Sequence, residues 1–261
     1  MKIALCYHGI AKGYNYKNGG LPVGFSHEFD LMTKNLINEN KNCQFDVFLH
    51  SWSVDAKKEV VEKLKPKDFI FETPKKFNEH SLFLLIKESI KKFLGKGYEL
   101  QRINNIYSRW YSFMKVCNLV KKSSENYDLV IVTRFDMCLL SKLDLSSLNP
   151  NNFYSGNWTG LYKDGKEILE ENYKNQHKNT QLIQKGHPFD NEGVQDFFFI
   201  SSYEYMINHF SKIFIELKYL LKKYGPSNHL IALGKLKEDK KLEKHKRKLQ
   251  YATDYFLSRW L

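Results

Sequence analysis

An arginine and an aspartate stand two residues apart directly after an apolar run, and this pair is the strongest sign of chemistry in the sequence. The run Leu129–Val132 is typical of a strand buried on both faces of a parallel sheet. At the end of such a strand Arg134 and Asp136 would point to the same side. The pair suits a metal-bridged nucleotide diphosphate, with Asp136 holding the metal and Arg134 contacting phosphate or sugar. The alternative is an internal ion pair at a strand end.

A second group of carboxylates precedes another apolar strand. Asp190, Glu192 and Asp196 fall within seven residues, ahead of the aromatic run 197–199. Because partial burial raises the pKa of a carboxylate, Asp196 is predicted to act as a catalytic base. Asp190 and Glu192 are predicted to contact substrate. In the alternative interpretation, Asp190 caps a turn and Asp196 begins the strand on its solvent side.

The first strand, residues 2–7, leads into a glycine-containing turn that would lie at the same edge of the sheet. His8 and Gly9 follow the strand directly, and Lys12 lies within the turn. Glycine would let a nucleotide approach the backbone closely, and Lys12 would help Arg134 to stabilise a diphosphate. The pattern contains neither a G-x-G-x-x-G motif nor a P-loop, and most turns of this kind bind nothing.

A long helix is predicted over residues 104–122, immediately before the central strand. One face of this helix carries a stripe of hydroxyl and ammonium groups, formed by Ser108, Tyr111, Ser112 and Lys115. The stripe would line a nucleotide pocket, to which Ser108, Tyr111 and Lys115 are assigned, or it would be the wet side of a core helix. Position alone favours the wet side.

The elements that must position these residues alternate along the chain. Strands are predicted over 2–7, 44–52 and 67–72, with helices over 27–38 and 55–64 between them. This order indicates an α/β fold with a mainly parallel sheet flanked by helices. The sequence is then irregular over about 143–190, which we interpret as an insertion on the acceptor side of a cleft.

Composition favours one globular domain. The 261 residues are 42% hydrophobic and carry a net charge of +12, and no run approaches the roughly 18 apolar residues of a membrane span. The expected location is cytoplasmic, with buried, reduced cysteines. Much of the charge lies in the basic run 235–248, which we interpret as a solvated helix face in preference to a patch for anionic membrane headgroups. No motif points to nucleic acid.

These pieces together resemble the bacterial GT-A-type glycosyltransferases of capsule and lipopolysaccharide clusters. The resemblance covers Met1 to about Leu221 and is carried by four stretches: 45–52, 107–112, 127–136 and 196–199. The expected organisation is a GT-A-like catalytic domain over 1–225, with a basic C-terminal helical segment, 226–261, packed on it. The resemblance implies a nucleotide-sugar donor, a glycan or lipid-linked acceptor, and Mn²⁺ or Mg²⁺ on a D-x-D-like motif. Here that motif is Arg134-Phe135-Asp136, with arginine in place of the first acid.

Two other functions are compatible with the same residues. One is transfer of a phosphorylated group from a nucleotide donor to a glycan, where Arg134 would contact a phosphoryl oxygen. The other is a non-catalytic partner that docks on anionic membrane through the basic run 235–248. The glycosyltransferase is the function that the sequence favours.

Overall fold

The computed structural model describes residues 1–15, 21–77, 90, 99–139, 142–156, 162–163, 166–167, 197–239, 250–252 and 256–258. The strands within these ranges are β1 (Lys2–Gly9), β2 (Gly13–Asn15), β3 (Leu21–Val23), β4 (Gln44–Ser51), β5 (Asp68–Phe71), β6 (Leu129–Arg134), β7 (Met137–Leu139), β8 (Tyr154–Gly156), β9 (Tyr162–Lys163), β10 (Lys166–Glu167), β11 (Phe198–Ser202), β12 (Gln250–Ala252) and β13 (Phe256–Ser258). The α-helices are α1 (Ser26–Met32), α2 (Lys57–Leu64), α3 (Glu99–Lys122), α4 (Tyr203–Asn208), α5 (Ile213–Tyr224) and α6 (Asn228–Glu238).

Seven strands form one sheet in the order β12-β8-β11-β6-β1-β4-β5. Neighbouring strands are parallel except around β11, which runs antiparallel to both β6 and β8. The predicted α/β class is therefore confirmed, and the sheet is mixed because of this one reversed strand.

The two faces of the sheet bury separate cores. Alternate side chains of the central strands point to opposite faces, so β1 contributes Leu5 to one core and Cys6 to the other. The Leu5 core is closed by α1 and α2, whereas the Cys6 core is closed by α3, α5 and α6. Helices on both faces explain why the central strands are apolar throughout.

The chain changes direction across the sheet at β1. It passes from β1 outward to β4 and β5, and α3 then carries it back to β6 on the other side of β1. The register between β1 and β6 places His8 beside Arg134 at the carboxyl ends of these two strands. Ligands of open α/β sheets bind at such a switch point.

Several helices depart from the predicted bounds. The helix expected over 27–38 is α1 followed by a π-helical turn, Thr33–Ile37. The apolar spacing over 202–223 predicts a single helix after β11, but this stretch is interrupted at His209, whose backbone leaves helical geometry between α4 and α5. Helix α3 ends at Lys122 as predicted but begins at Glu99, ahead of the predicted start at residue 104.

The C-terminal segment 226–261 is helical only in part. Helix α6 packs on α5 within the Cys6 core, whereas residues 250–252 and 256–258 are strands. Lys235, which was counted in the basic run, is buried, and its ammonium lies 2.8 and 2.9 Å from the two carboxylate oxygens of Glu216. The rest of the run, 240–248, lies outside the described residues. No helix in the described ranges is long and apolar enough to cross a bilayer.

The cysteines are all free thiols, as predicted. Cys6, Cys117 and Cys138 are buried, but Cys43 is only half-buried, which corrects the expectation for that residue. Burial raises the pKa of the Cys6 and Cys117 thiols well above the usual range, so neither is a reactive thiolate.

Candidate functional site

Arg134 and Asp136 form a two-pronged ion pair at the end of β6. The Arg134 Nε donates to Oδ1 of Asp136 at 2.7 Å, and a terminal guanidinium nitrogen donates to Oδ2. The side chains are 24% and 22% exposed, respectively. The prediction that these groups lie side by side is confirmed. The pairing is also what the ion-pair alternative requires, because both oxygens of Asp136 are engaged.

A second arginine lies close to the first. The guanidinium carbons of Arg134 and Arg109 are 4.8 and 5.5 Å from the centre of the Phe197 ring, which is buried just before β11. Arg109 projects from α3, so three distant parts of the chain meet at this ring. Stacking on an aromatic face orients a guanidinium without using its N–H edges.

His8 lies next to these arginines at the end of β1. It is 1% exposed, its ring lies edge-on against Phe113 at 5.6 Å, and its Nδ1 has no hydrogen-bond partner among the described residues. Burial, and then the positive charges of Arg109 and Arg134, lower the pKa of His8 well below its usual value. His8 is therefore a neutral imidazole at neutral pH.

A buried hydrogen-bond chain fixes the turn that begins at Gly9. The Gly9 amide donates to Ser112 Oγ at 3.0 Å, and Ser112 Oγ lies 2.7 Å from His50 Nδ1. His50 Nε2 is 2.8 Å from Glu72. Gly9 has a φ of +105°, which lies in the region that favours glycine. The chain thus ties a conformationally special turn to three different elements.

The protonation states within this chain follow from its geometry. Burial lowers the pKa of His50 despite the opposing effect of Glu72, and the hydrogen bonds from His50 and Lys75 outweigh desolvation and lower the pKa of Glu72. A neutral His50 with its proton on Nε2 donates to Glu72 and accepts from the Ser112 hydroxyl. Every member is then satisfied. Ser112 is fully buried, so this constellation orders the turn and does not present a nucleophile.

The stripe on α3 faces the sheet edge. Burial of Ser112 against His50 shows that the wet-side interpretation is wrong for this residue. Tyr111 stacks on Trp52 with ring centres 5.6 Å apart, and its hydroxyl accepts from Lys75 at 2.6 Å. Lys115 lies 5.5 Å from the Tyr111 ring, and Ser108 is half-buried one turn earlier.

Lys12 is directed away from the arginines. Its ammonium lies 2.7 Å from Glu59 of α2 in an exposed ion pair, so the structure does not bring it to the predicted cluster. The backbone around it is nevertheless fixed, because the amides of Ala11 and Lys12 both donate to Ser53 Oγ at 3.1 Å.

The predicted base and its neighbouring carboxylates, Asp190, Glu192 and Asp196, lie outside the described residues. Within the part of the chain that the structure describes, no group of three or more histidine, cysteine, aspartate or glutamate side chains could hold a metal ion. Asp136, the predicted metal ligand, is instead occupied by Arg134.

No protein-family model matches this chain, and no curated protein is significantly similar to it in sequence. The geometry of the site therefore has to carry the functional argument.

Two features of the site escaped sequence reasoning. Arg109 sits in a helix among polar and aromatic residues, and its sequence position gives no sign that it reaches Arg134 through Phe197. Glu72 directly follows β5, the edge strand of the sheet. Its hydrogen bond to His50 depends on the pairing of β4 with β5, which places Ser51 beside Phe71. Glu72 stands at the end of a predicted strand, 67–72, which was the available signal for it, whereas Arg109 lies within the predicted helix 104–122.

Proposed function

We propose that this chain is a glycosyltransferase with a GT-A-like catalytic domain. It would move a sugar from a nucleoside-diphosphate-sugar donor to a surface polysaccharide or a lipid-linked glycan. The observation that carries the proposal is the aligned guanidinium of Arg134 beside buried, neutral His8 at the switch point of the sheet. This is where an open α/β sheet binds a nucleotide.

The chemistry asked of the described residues is electrostatic. As the bond between the sugar and the diphosphate breaks, negative charge develops on the departing phosphate oxygens. A guanidinium already held in place stabilises that charge without further reorganisation. The Gly9 turn, fixed through Ser112 and Ser53, would bring backbone close to the donor. Proton removal from the acceptor is assigned to no described residue.

A divalent metal is the cofactor that the sequence resemblance implies. The described residues do not fit it around Asp136, since both carboxylate oxygens accept hydrogen bonds from Arg134. No step in this proposal passes through a metal.

The test is transfer or donor hydrolysis across a panel of UDP-, GDP- and CMP-sugars, each assayed with Mn²⁺ and with EDTA. Release of a nucleoside diphosphate is expected, whereas release of a nucleoside monophosphate from a diphosphate donor would favour transfer of a phosphorylated group. Arg134→Gln is expected to lower turnover by about 100-fold, typical for loss of one preorganised charge-stabilising group. Lys58→Gln, which removes an exposed cation on α2, is the matched charge control. Wild-type turnover in folded Arg134→Gln would overturn the proposal.

A further inference from the structure

We propose that the outward face of α5 docks this protein onto an anionic lipid bilayer. The docking face consists of two exposed apolar side chains and three exposed lysines: Lys212, Ile215, Lys218, Tyr219 and Lys222. The helix would lie along the headgroups, with Ile215 in the acyl boundary and the lysines beside the lipid phosphates. This surface is distinct from the basic run 235–248, and its assignment does not depend on the proposed function.

Helix α5 has two sides of opposite character. One side packs into the Cys6 core through Ile213, Leu217 and Leu220. Because an α-helix repeats every 3.6 residues, Ile215 and Tyr219 share the other side, one turn apart. Apolar side chains on the side that faces away from the core do not contribute to the core of this domain, so they need a separate explanation.

The apolar centre of the docking face is open to solvent. Ile215 is 74% exposed, the highest value among the exposed large hydrophobic side chains of the described residues, and Tyr219 is 51% exposed. The Tyr219 hydroxyl donates to Glu238 at 3.1 Å and accepts from Lys223 at 3.0 Å, which holds the ring at the surface. An aliphatic side chain next to a tyrosine is typical of helices that lie in the membrane interface.

The cations around this centre are free to meet an anionic partner. Lys212, Lys218 and Lys222 are exposed, and none of them makes an ion pair or a hydrogen bond within the part of the chain that the structure describes. Glu216, the acid of α5, is turned toward Lys235 of α6 at 2.8 Å. The net charge of +12 adds attraction at longer range. Charge complementarity thus selects an anionic surface, and the apolar centre selects a bilayer over a soluble polyanion.

The docking face is linked rigidly to the helix that borders the candidate site. Phe214, the residue before Ile215, lies edge-on to Tyr111 of α3 with ring centres 5.3 Å apart. The next residue of α3, Ser112, accepts from the Gly9 amide. A bilayer bound at α5 would therefore lie at a fixed place relative to the Gly9 turn. This arrangement suits a lipid-linked acceptor, and that consequence alone rests on the proposed function.

Vesicle sedimentation of the full chain tests the charged part of the docking face. Wild-type protein is expected to bind vesicles of equal parts phosphatidylcholine and phosphatidylglycerol, and to bind pure phosphatidylcholine far more weakly. The triple variant Lys212→Gln, Lys218→Gln, Lys222→Gln is expected to bind about 100-fold more weakly, because each lysine at an anionic surface contributes about fivefold. Salt at about 1 M should weaken wild-type binding to a similar extent, since the Debye length is then only about 3 Å.

The matched control removes the same charge from the opposite face of the sheet. It replaces three exposed lysines of α2 and the π-helical turn: Lys34→Gln, Lys57→Gln and Lys58→Gln. Binding of this control should weaken by less than about fivefold, because these charges lie across the sheet, beyond the Debye length of about 8–10 Å.

A second pair of variants tests the apolar part of the docking face. Ile215→Ser should weaken vesicle binding by about tenfold, the effect of losing one buried aliphatic side chain. Val54→Ser, at a residue that is 40% exposed beside α2, should change binding by less than about twofold. All these side chains are exposed, so thermal unfolding of each variant should match that of wild type.

The proposal is overturned if wild type does not bind anionic vesicles, if the α5 lysine variant binds as tightly as its control, or if Ile215→Ser binds as wild type does. It is also overturned if lipid-free wild type is an oligomer on size-exclusion chromatography and Ile215→Ser dissociates it, since the face would then join two copies of this chain. Vesicle binding is measured without nucleotide. Absence of sugar transfer would therefore refute the proposed function and leave the docking face standing, and transfer by a protein that ignores vesicles would do the reverse.

Discussion

Replacing Ser112 by alanine tests the buried chain that holds the Gly9 turn. Ser112 is fully buried and is the shared partner of the Gly9 amide, at 3.0 Å, and of His50 Nδ1, at 2.7 Å. Alanine removes both contacts, so the Gly9 amide and His50 Nδ1 each lose their hydrogen bond to Ser112. Leaving one buried group unsatisfied costs about 1–3 kcal/mol. Because Gly9 is half-exposed and water can reach it, we expect a total loss of about 2–3 kcal/mol, most of it from His50.

The matched control is Ser108→Ala, one turn earlier on the same face of α3. Ser108 is half-buried, and its replacement is expected to change stability by no more than about 0.5 kcal/mol. Urea unfolding followed by tryptophan fluorescence measures both variants. With a slope of about 2–3 kcal/mol per molar urea, the Ser112 variant should unfold at a midpoint lower by about 1 M. If the free energies of unfolding of the two variants differ by less than about 0.5 kcal/mol, the hydrogen bonds that link the Gly9 amide, Ser112, His50 and Glu72 do not stabilise the fold.

The remaining predictions concern pH and packing. The pKa of His8 is lowered in the folded protein, so the unfolded chain binds more protons below about pH 6.5, and the free energy of unfolding should fall with decreasing pH by up to about 1.4 kcal/mol per pH unit for this group. In urea titrations at several pH values, the free energy of unfolding of His8→Asn should depend less steeply on pH than that of the wild type. An unchanged pH dependence would contradict the lowered pKa. Gly234→Ala should lower the free energy of unfolding by about 1–3 kcal/mol, because its Cβ would lie 2.3 Å from Tyr224 Cδ2. Adding Tyr224→Leu to this variant should recover part of the loss, and additive losses from the two substitutions would argue against the clash. Glu216→Ala should lower the free energy of unfolding by about 2–3 kcal/mol, because it leaves Lys235 buried without this carboxylate. Glu62→Ala, in the exposed pair with Lys58, should lower it by at most about 0.5 kcal/mol in the same assay. Similar losses for the two variants would refute the role of burial.

The sequence predicted best those elements whose local pattern of apolar residues is compatible with only one type of secondary structure. The apolar run 129–132 lies within β6, and the helix predicted over 104–122 ends where α3 ends, although α3 begins earlier, at Glu99. The reversal of β11 was not predictable, because an apolar strand has the same pattern whichever way it runs. The interruption at His209 was missed because the apolar spacing continues through it.

The candidate site was predictable in part for the same reason. Arg134 and Asp136 are two residues apart in the sequence, so their pairing could be anticipated locally, although Asp136 lies in the turn between β6 and β7 and not in the strand. Arg109 and Arg134 both contact Phe197, and no local pattern encodes a contact between residues that far apart. Lys12 lies in the predicted turn, but its ammonium pairs with Glu59 and does not join the predicted cluster.

The antiparallel pairing of β8 with β11 bears on how this protein could diversify. The intervening segment, 157–196, begins and ends next to adjacent strands of one sheet and stops short of Phe197, so its length could change at small cost in loop-closure entropy, about 0.6 kcal/mol per doubling. Insertions or exchanges there would leave Arg134 and its strand where they are. Under the proposed function, new acceptors could then be acquired by replacement of this segment while Arg134 and Phe197 kept their places.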